Sequence, residues 1–463
     1  MIFNFKKEIM IFACAFLYRF FIFVTLVWWS GQAGFDYPLL GSDARGYWNL
    51  AHTIVTEQEL YMEDEQFIHT RRPPGYPLFL AAFQLLPFEA QTTQYAADLT
   101  QMILAAISVV LLYRLLRRVA TEQAAMWAAL FFALEPNSAY YSTLLLSDTL
   151  SVFLFMAFVH IFLTKKSYSA FFCAGTFLGL SMLVRPITQF FPAVAILFLL
   201  YAQSIQRKTI VQCAAFCIGT LLFALPWMIH NKHVADSFDI SSSGPNTYYR
   251  YVMPSFVAWR TGEPYEEMRE QFVAQFDEAV VSGVNAVTFM QRETIRIISE
   301  APILYAFYHT VKTIPFFLGD GIREILQKTE LLNAKQPNIS SELLHGNVIK
   351  ITRLVRENTY LLLAILGGVF WSIVLMFAVI GFWHALHGDV EKQRYAIFFA
   401  TVILYLAILT GPATSTRHRM PALPFIAALA VMGFYSFYDK QKSNHTKHTS
   451  SPEFLTTSDQ PRT

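Results

Sequence analysis

Charged side chains are scarce in this chain of 463 residues. Asp, Glu, Lys and Arg make up 15% of the sequence, whereas hydrophobic residues make up 54% and phenylalanine occurs 43 times. Soluble globular domains carry about 25% charged residues, so the composition excludes an ordinary soluble protein and indicates an integral membrane protein. The formal net charge of +2 gives no reason to expect a nucleic-acid partner.

Several structural and catalytic signatures are also missing. The four cysteines all lie in apolar runs, which excludes the disulfide framework of a small secreted protein. The sequence has no glycine-rich phosphate loop, no Gly-x-Ser-x-Gly and no His-Glu-x-x-His. His230 and His233 have Lys232 between them and no acid nearby, and packing explains Cys213 and Cys217 better than metal binding does. We therefore predict no metal site from these side chains, although a divalent cation stays compatible with the sequence.

Long apolar runs dominate what is present. A bilayer core requires about 20 apolar residues per helix. Ten runs meet or approach this length: 9–30, 97–113, 123–134, 148–164, 169–185, 187–204, 210–229, 360–386, 395–411 and 421–438. The first run continues to Trp29 without an Ala-x-Ala cleavage site, so we interpret it as a retained anchor. Arg19, in its middle, is predicted to face the protein interior because a charge in lipid is costly.

Two stretches are ambiguous. The run 123–134 is short, and its helix is expected to extend into 135–140. The apolar stretch 301–318 would be an eleventh span, but its two prolines, His309 and Lys312 favour a helix at the membrane surface.

Basic residues predict the orientation of the chain. They occur in alternate loops, as Lys6/Lys7, Arg114/Arg117/Arg118, Lys165/Lys166, Arg207/Lys208, Lys392/Arg394 and Lys440/Lys442. The positive-inside rule then places both termini in the cytoplasm. The segments on the outer side are 31–96, 135–147, the turn at Arg185, 230–359 and 411–420. We expect a multi-pass protein of a bacterial inner membrane whose outer side faces the periplasm or exterior.

The two large outer segments differ in character. Segment 31–96 has an apolar face at helical spacing, which predicts an amphipathic helix along the membrane surface; its members are Tyr47, Leu50, Ala51, Ile54 and Val55. Segment 230–359 is more polar, with a loop signal at 241–246 and helical patterns at 264–281 and 284–299.

The chain is expected to form one membrane-embedded domain over residues 1–438. The segment 439–463 is polar and rich in Ser and Thr, so we predict a disordered cytoplasmic tail. We find no internal repeat.

Two aspartates near the predicted outer boundary are candidates for catalysis. Asp43 lies in the sequence Gly-Ser-Asp-Ala-Arg-Gly-Tyr over 41–47, and Asp148 follows Ser147 at the start of the fourth span. Each stands where a helix begins, so capping of that helix is an equally good explanation. In the functional interpretation, one of them is the general base that deprotonates an acceptor hydroxyl.

Arginines from distant parts of the sequence lie on the same predicted side: Arg71, Arg72, Arg185, Arg417 and Arg419. Two prolines stiffen the backbone after Arg72, and guanidinium groups bind phosphate oxygens in a forked geometry. Anchoring to lipid head groups is the alternative for the first pair, and an ordinary loop position is the alternative for Arg185. Arg417 and Arg419 are basic residues on the predicted outer side, which opposes the positive-inside trend, so a functional role is favoured over anchoring for this pair. Acids and arginines together predict a site for an anionic lipid head group.

In their order along the chain, these motifs resemble the GT-C glycosyltransferases of the protein O-mannosyltransferase and aminoarabinose transferase type. The resemblance covers about residues 9–438. It is carried by Asp43, Arg72-Pro73-Pro74-Gly75-Tyr76, Asp148, Arg185-Pro186, Pro226-Trp227-Met228-Ile229-His230-Asn231 and Arg417-His418-Arg419-Met420-Pro421. It implies an all-α bundle of about 10–11 spans with outer interfacial helices and loops. It also implies transfer of a sugar from a polyprenyl-phosphate donor to a hydroxyl outside the cytoplasm.

The resemblance assigns roles to single residues. Asp43 would match the base and Asp148 a second acid near the site. The cations of the donor-phosphate site would be Arg71 or Arg72, Arg185, Arg417 and Arg419. We further predict contacts of the substrates with Tyr47, Tyr76 and His418.

The sequence departs from the family pattern at three places. Ala44 follows Asp43 where protein mannosyltransferases have a second acid, which puts a protein acceptor in doubt and leaves lipid and glycan acceptors open. His230 stands for the usual arginine before Asn231, and His418 stands for tyrosine. We also see no substantial soluble C-terminal domain that would recognise an acceptor.

Two other interpretations stay open from sequence. A multi-span transporter or lipid flippase would share the composition, although such proteins tend to show inverted repeats and polar residues near the midplane. A GT-C glycan polymerase or ligase would share the fold and differ in its donor.

Overall fold

The protein is all-α over the residues that the structure, a computed structural model, describes: 5–60, 70–329, 331, 346–357 and 361–449. The first ten helices are α1 (Phe5–Ala33), α2 (Gly41–Thr56), α3 (Gly75–Gln84), α4 (Ala90–Leu116), α5 (Glu122–Leu134), α6 (Pro136–Tyr141), α7 (Ser147–Thr164), α8 (Tyr168–Val184), α9 (Phe191–Gln203) and α10 (Arg207–Ala235). The next ten are α11 (Ser243–Thr247), α12 (Met253–Thr261), α13 (Tyr265–Val281), α14 (Ala286–Glu300), α15 (Pro302–Leu318), α16 (Ile322–Lys328), α17 (Val348–Glu357), α18 (Leu361–Leu386), α19 (Val390–Thr410) and α20 (Leu423–Thr449). Short 3₁₀ turns occupy Pro186–Thr188, Gly411–Ala413 and Thr416–Arg419.

Each of the ten predicted apolar runs forms a helix. Within the described part of the chain, seven helices are long and apolar enough to cross a membrane: α1, α4, α7, α9 with the preceding turn, α10, α18 and α19 with the following turn. The remaining three, α5, α8 and residues 423–437 of α20, are apolar but shorter. The all-α architecture implied by the family resemblance is confirmed for the described residues, and the seven long apolar helices agree with the membrane protein that the composition indicates.

Two predicted boundaries differ in detail. The helix of 123–134 does not run on without interruption: it ends at Leu134, and α6 starts afresh at Pro136. Glu135 between them is extended, with φ −64° and ψ 118°, because a residue before proline avoids the helical region. The loop signal at 241–246 is also partly wrong, since Ser243–Thr247 is helical.

The helix α15 lies where the surface helix was predicted. It spans 17 residues and is not among the candidate membrane spans. It packs against α18 and against the turns Gly411–Ala413 and Thr416–Arg419. The predicted helical patterns at 264–281 and 284–299 correspond to α13 and α14.

The membrane core is built by neighbouring long helices. Helix α8 packs along α10 and α7, α18 packs along α20, and α1 packs against α4 and α5. Arg19 is fully buried within α1, and its Nη1 donates to the carbonyl oxygens of Ala15 at 3.0 Å and of Ala133 at 2.8 Å. The prediction that this charge faces the protein interior is confirmed.

The segments 31–96 and 230–359, predicted to lie outside, have their own packing. Helix α2 presents the predicted apolar face to the core, where Leu50 and Ala51 are buried. Helices α12 to α15 enclose a second hydrophobic cluster around Tyr249, Phe256 and Phe276.

The C-terminal helix extends beyond its predicted end. The backbone of α20 continues to Thr449, so the boundary expected at 438 falls inside a helix. Hydrogen bonding begun in the apolar part continues along the chain, which composition alone does not reveal. Residues 450–463 of the predicted tail lie outside the described residues.

Candidate active site

Four of the predicted site residues meet at the ends of helices. Asp43 is in the first turn of α2, and Asp148 is in the first turn of α7. Arg185 follows α8 in an extended conformation that the next residue, Pro186, favours. Arg417 lies on the turn Thr416–Arg419 between α19 and α20. We call these four residues the charged cluster.

Arg417 joins the two acids of the charged cluster. Its Nη1 donates to Asp43 Oδ2 at 3.0 Å, and its Nε donates to Asp148 Oδ2 at 2.7 Å. Arg185 forms an ion pair with the other oxygen of Asp148. One guanidinium group therefore ties the start of α2 to the start of α7. Arg417 itself lies 374 positions after Asp43 in the sequence.

The two acids differ in exposure. The side chain of Asp148 has no accessible surface and lies between two guanidinium groups, whereas the side chain of Asp43 is 50% accessible. The residues at the N-cap positions of α2 and α7 are Leu40 and Leu146, so neither acid is the cap. N-capping does not explain these aspartates, and Asp43 is the more accessible of the two acids.

The ionisation of Asp43 follows from its neighbours. Burial raises its pKa, but the Arg417 guanidinium, with smaller contributions from Arg72 and Arg185, outweighs that effect and holds the pKa below 3.8. Half of the side chain meets solvent, which weakens the attraction. Asp43 is consequently ionised at neutral pH.

Tyr47 and Arg72 form one wall beside the charged cluster. The Arg72 guanidinium carbon lies 5.5 Å from the centroid of the Tyr47 ring, a cation–π arrangement, and the Tyr47 hydroxyl lies 3.3 Å from Ser147 Oγ. Gly46 leaves space for this arginine, since a Cβ atom there would fall 2.5 Å from an Arg72 nitrogen. The absence of a side chain at Gly46 thus lets the Arg72 guanidinium group take this position.

Tyr76 packs against Tyr47 and supports that wall. Its ring meets the Tyr47 ring edge to face at 4.9 Å, and its hydroxyl donates to Gln101 Oε1 at 2.9 Å. Gln101 in turn donates to the carbonyl oxygen of Leu144 at 2.9 Å. Burial raises the pKa of Tyr76 well above 10, so the phenol stays protonated as this donor. Tyr76 is fully buried and supports Tyr47; the structure does not expose it to a substrate.

His418 lies on the same turn as Arg417. Its Nδ1 accepts a hydrogen bond from the Ser415 amide at 3.0 Å. Desolvation, followed by the charges of Arg185 and Arg417, lowers its pKa to about 3. The imidazole is therefore neutral at physiological pH, with its proton on Nε2.

The two other predicted arginines make different contacts. Arg419 is 2% exposed, and it donates to the carbonyl oxygens of Phe316, Phe317 and Gly319 while its guanidinium carbon lies 3.6 Å from the centroid of the Trp371 ring. The structure does not bring Arg419 into the charged cluster: it holds the turn onto α15. The carbonyl oxygen of Arg71 accepts a hydrogen bond from Ser241 at 2.6 Å, which ties segment 31–96 to segment 230–359.

Sequence reasoning missed two residues beside the charged cluster. The centroid of the Tyr141 ring lies 5.9 Å from the Arg417 guanidinium carbon and 4.8 Å from Lys328 Nζ. The only local signal was the i, i+4 spacing of Glu324 and Lys328, which is common on helices. Nothing in the sequence links α6, α16 and the turn of Arg417.

The charged cluster offers few free carboxylate oxygens to a divalent cation. Three of the four carboxylate oxygens of Asp43 and Asp148 face guanidinium groups, which leaves one oxygen for a metal. A Mg²⁺ ion is usually bound by one or two carboxylates, with water and substrate phosphate oxygens completing its shell, so a cation here would depend mostly on such ligands. Among the residues with described positions, no group of three or more His, Cys, Asp or Glu side chains converges.

Comparison with known proteins relates the chain to one fold. Residues 71–230, about a third of the chain, match the model of the family "Dolichyl-phosphate-mannose-protein mannosyltransferase". The archaeal oligosaccharyltransferase AglB from Archaeoglobus fulgidus, solved with an inhibitory peptide and a dolichol-phosphate, is similar over 98% of this chain and 53% of its own, with 13% identity and a TM-score of 0.53. The apo form of the Archaeoglobus fulgidus oligosaccharyltransferase is similar over 97% of this chain and 52% of its own, with 12% identity and a TM-score of 0.54.

The chain has the GT-C glycosyltransferase fold. It spans about half the length of the archaeal enzymes. ArnT from Cupriavidus metallidurans, solved with undecaprenyl phosphate, also matches, at 12% identity over 90% of this chain and 77% of its own, but its TM-score of 0.37 is too low to support an argument. No curated protein sequence matches the chain significantly. The resemblance to GT-C glycosyltransferases is confirmed at the level of the fold.

Proposed function

We propose that this protein transfers a sugar from a polyprenyl-phosphate donor to an acceptor hydroxyl on the extracytoplasmic side of the membrane. The observation that carries the proposal is the charged cluster: an accessible carboxylate held beside buried guanidinium groups at the helix ends. The GT-C fold and the match to a mannosyltransferase family model support it.

Asp43 acts as the base in this proposal. The acceptor hydroxyl attacks the anomeric carbon, its proton passes to the accessible oxygen of Asp43, and the bond between that carbon and the phosphate oxygen breaks. A carboxylate of low pKa accepts the proton late, when the forming bond has made the hydroxyl more acidic. Arg417 keeps the carboxylate ionised and oriented for this step.

The departing polyprenyl phosphate is an anion that needs positive charge. Glycosyl transfer passes through an oxocarbenium-like state, and fixed cations at the leaving group lower its energy. The positive charges of Arg72, Arg185 and Arg417 all act on Asp43. They supply part of this charge without a metal ion.

A single displacement follows from the burial of Asp148. A double displacement needs a second carboxylate free to act as a nucleophile, whereas both oxygens of Asp148 face arginines and its side chain is inaccessible. Asp148 therefore positions Arg417 and Arg185, and the sugar is transferred with inversion.

An apolar groove is suited to the prenyl chain. It has a volume of about 870 Å³ between α5, α18 and α20, and its lining includes Trp127, Phe131, Phe370, Trp371 and Phe434. Trp371 packs on Arg419, two residues from Arg417. A chain in the groove would reach the turn that carries the phosphate-binding arginine.

The test is donor turnover by the purified full chain in lipid nanodiscs. Undecaprenyl phosphates carrying different sugars are supplied with envelope lipid extract, and release of undecaprenyl phosphate is followed by mass spectrometry. We expect turnover of at least one donor, its loss in Asp43→Asn, and its retention in Asp36→Asn, which removes another exposed acid of the same segment. Absence of turnover with every donor, or full turnover by Asp43→Asn, would contradict the proposal.

A transporter is less well supported. Transport sites lie near the membrane midplane on broken helices, whereas the charged cluster lies at helix ends, on α2, α7 and the turns beside α8 and α20.

A further inference from the structure

Lys328 lies beside the charged cluster, next to the ring of Tyr141 that Arg417 also approaches. It is the last residue of α16, and its Nζ donates to the Tyr141 hydroxyl at 3.1 Å. Lys328 Nζ and the Arg417 guanidinium carbon lie 4.8 Å and 5.9 Å from the centroid of the Tyr141 ring. A lysine and an arginine from distant segments thus share one aromatic contact, and the lysine side chain is 31% exposed.

The buried arginines are already neutralised. Arg417 contacts both Asp43 and Asp148, and Arg185 contacts Asp148, so two guanidinium groups face two carboxylates. These arginines are only 13% and 15% exposed, and an uncompensated charge there would be costly. A phosphate that enters the cluster therefore needs further positive charge from residues whose present partners can be exchanged.

Lys328 meets that requirement. Its ionic partner is Glu324, one turn earlier on α16, at 3.2 Å and with 30% of its side chain exposed. A pair this accessible contributes little to stability, because water solvates either partner after separation. Glu324 also accepts a hydrogen bond from Thr416 at 3.3 Å, next to Arg417, so it keeps a second partner when the lysine leaves.

We infer that Lys328 is a further contact for the donor phosphate, and that the lysine exchanges Glu324 for the phosphate when the donor binds. The inference rests on the proposed function and extends it: the phosphate lies between Arg72 on the Tyr47 side and Lys328 on the Tyr141 side. Tyr141 fixes the direction of approach through its hydroxyl. A sugar head group then projects toward the exposed carboxylate of Asp43.

The experiment measures binding of undecaprenyl phosphate and of undecaprenol to the purified full chain in nanodiscs. The variants are Lys328→Gln, Lys328→Arg and Glu324→Gln. Lys312→Gln is the matched control, since Lys312 also lies over a tyrosine ring, that of Tyr308, at 5.8 Å but within the second hydrophobic cluster. Thermal unfolding of each variant accompanies the binding data.

We expect Lys328→Gln to weaken undecaprenyl phosphate binding about tenfold, the effect of losing one charge-assisted contact. Binding of undecaprenol should not change, and Lys328→Arg should retain most of the affinity. Glu324→Gln should bind the phosphate as tightly as the wild type or more tightly, because the lysine no longer has a competing partner. Opposite effects at 324 and 328 cannot come from a purely structural ion pair.

Three results would overturn the inference. Lys328→Gln with wild-type affinity would remove Lys328 from the phosphate site while leaving the proposed function intact. Equal weakening by the 324 and 328 variants, with lowered unfolding temperatures, would assign both to structure. A wild type that binds undecaprenyl phosphate no better than undecaprenol would contradict the proposed function itself, and the inference with it.

Discussion

Asp43 and Asp148 share one arginine yet occupy opposite environments. Asp148 is inaccessible and paired on both oxygens, whereas Asp43 is half exposed and paired on one. In the proposed mechanism, the buried acid holds two arginines in place, and the half-exposed acid offers an oxygen to the acceptor. Two residues of the same type therefore have separable effects on stability and activity.

Asp148→Asn is expected to destabilise the protein. The change leaves Arg185 and Arg417 without their buried carboxylate, and breaking a buried pair costs about 3 kcal/mol. Asp43→Asn breaks a half-exposed pair and should cost less than about 1 kcal/mol. Denaturant unfolding in detergent measures both. Equal losses of stability would contradict the division of roles.

The pH dependence of transfer should be flat near neutrality. Arg417 holds the pKa of Asp43 below 3.8 despite burial, so the contribution of this ion pair to stability is present above that pH and is lost only as the pH falls through the lower folded value. His418, with a pKa of about 3, is already neutral. Because neither Asp43 nor His418 titrates in this range, we expect constant kcat/KM between about pH 5 and pH 8. An inflection near pH 6.5 that disappears in His418→Gln would contradict this.

At the scale of elements, α3 is fixed to the end of α8. A Cβ atom at Gly75 would fall 2.7 Å from the carbonyl oxygen of Leu183, two residues before Arg185. The two prolines before Gly75 direct the chain into this contact. The motif that suggested a phosphate site in the sequence also has a packing role.

Gly75→Ala should therefore disturb the site from outside it. The methyl group would push α3 and Tyr76 away from α8, with an expected loss of about 1–3 kcal/mol in stability and a lower transfer rate. Gly31→Ala in α1 is the control, because no atom lies within 4 Å of the position that its methyl group would take. Unfolding and turnover of the two variants are compared; equal behaviour would show that the contact has no such role.

Local patterns in the sequence predicted several helices well, but they predicted the contacts between distant elements poorly. The apolar periodicity of α2 and the proline after Arg185 each determine a local conformation, and both were predicted. The ends of α5 and α20 depend on a single proline and on continued helical hydrogen bonding, and composition misplaced them. Lys328 was missed because its contacts with Tyr141 span 187 positions of sequence. Arg419 was assigned to phosphate because a buried arginine that binds carbonyl oxygens has the same sequence signal.

At the scale of the whole molecule, orientation is the next prediction. Basic loops place the ends of α7 and α4 in the cytoplasm and the charged cluster outside. A cysteine at Glu263 should react with a membrane-impermeant maleimide in intact cells, and one at Lys165 should react only after permeabilisation. The reverse pattern would contradict the orientation, and labelling that changes sides with substrate would favour a transporter.

The most direct test of Asp43 as the base of a sugar transfer is mass spectrometry of envelope glycolipids and glycans from cells that carry the wild type or Asp43→Asn. We predict that the variant protein is present at normal levels and that one sugar-sized mass increment is lost, which also names the class of sugar. An unchanged profile at normal protein levels would contradict the role of Asp43 as the base.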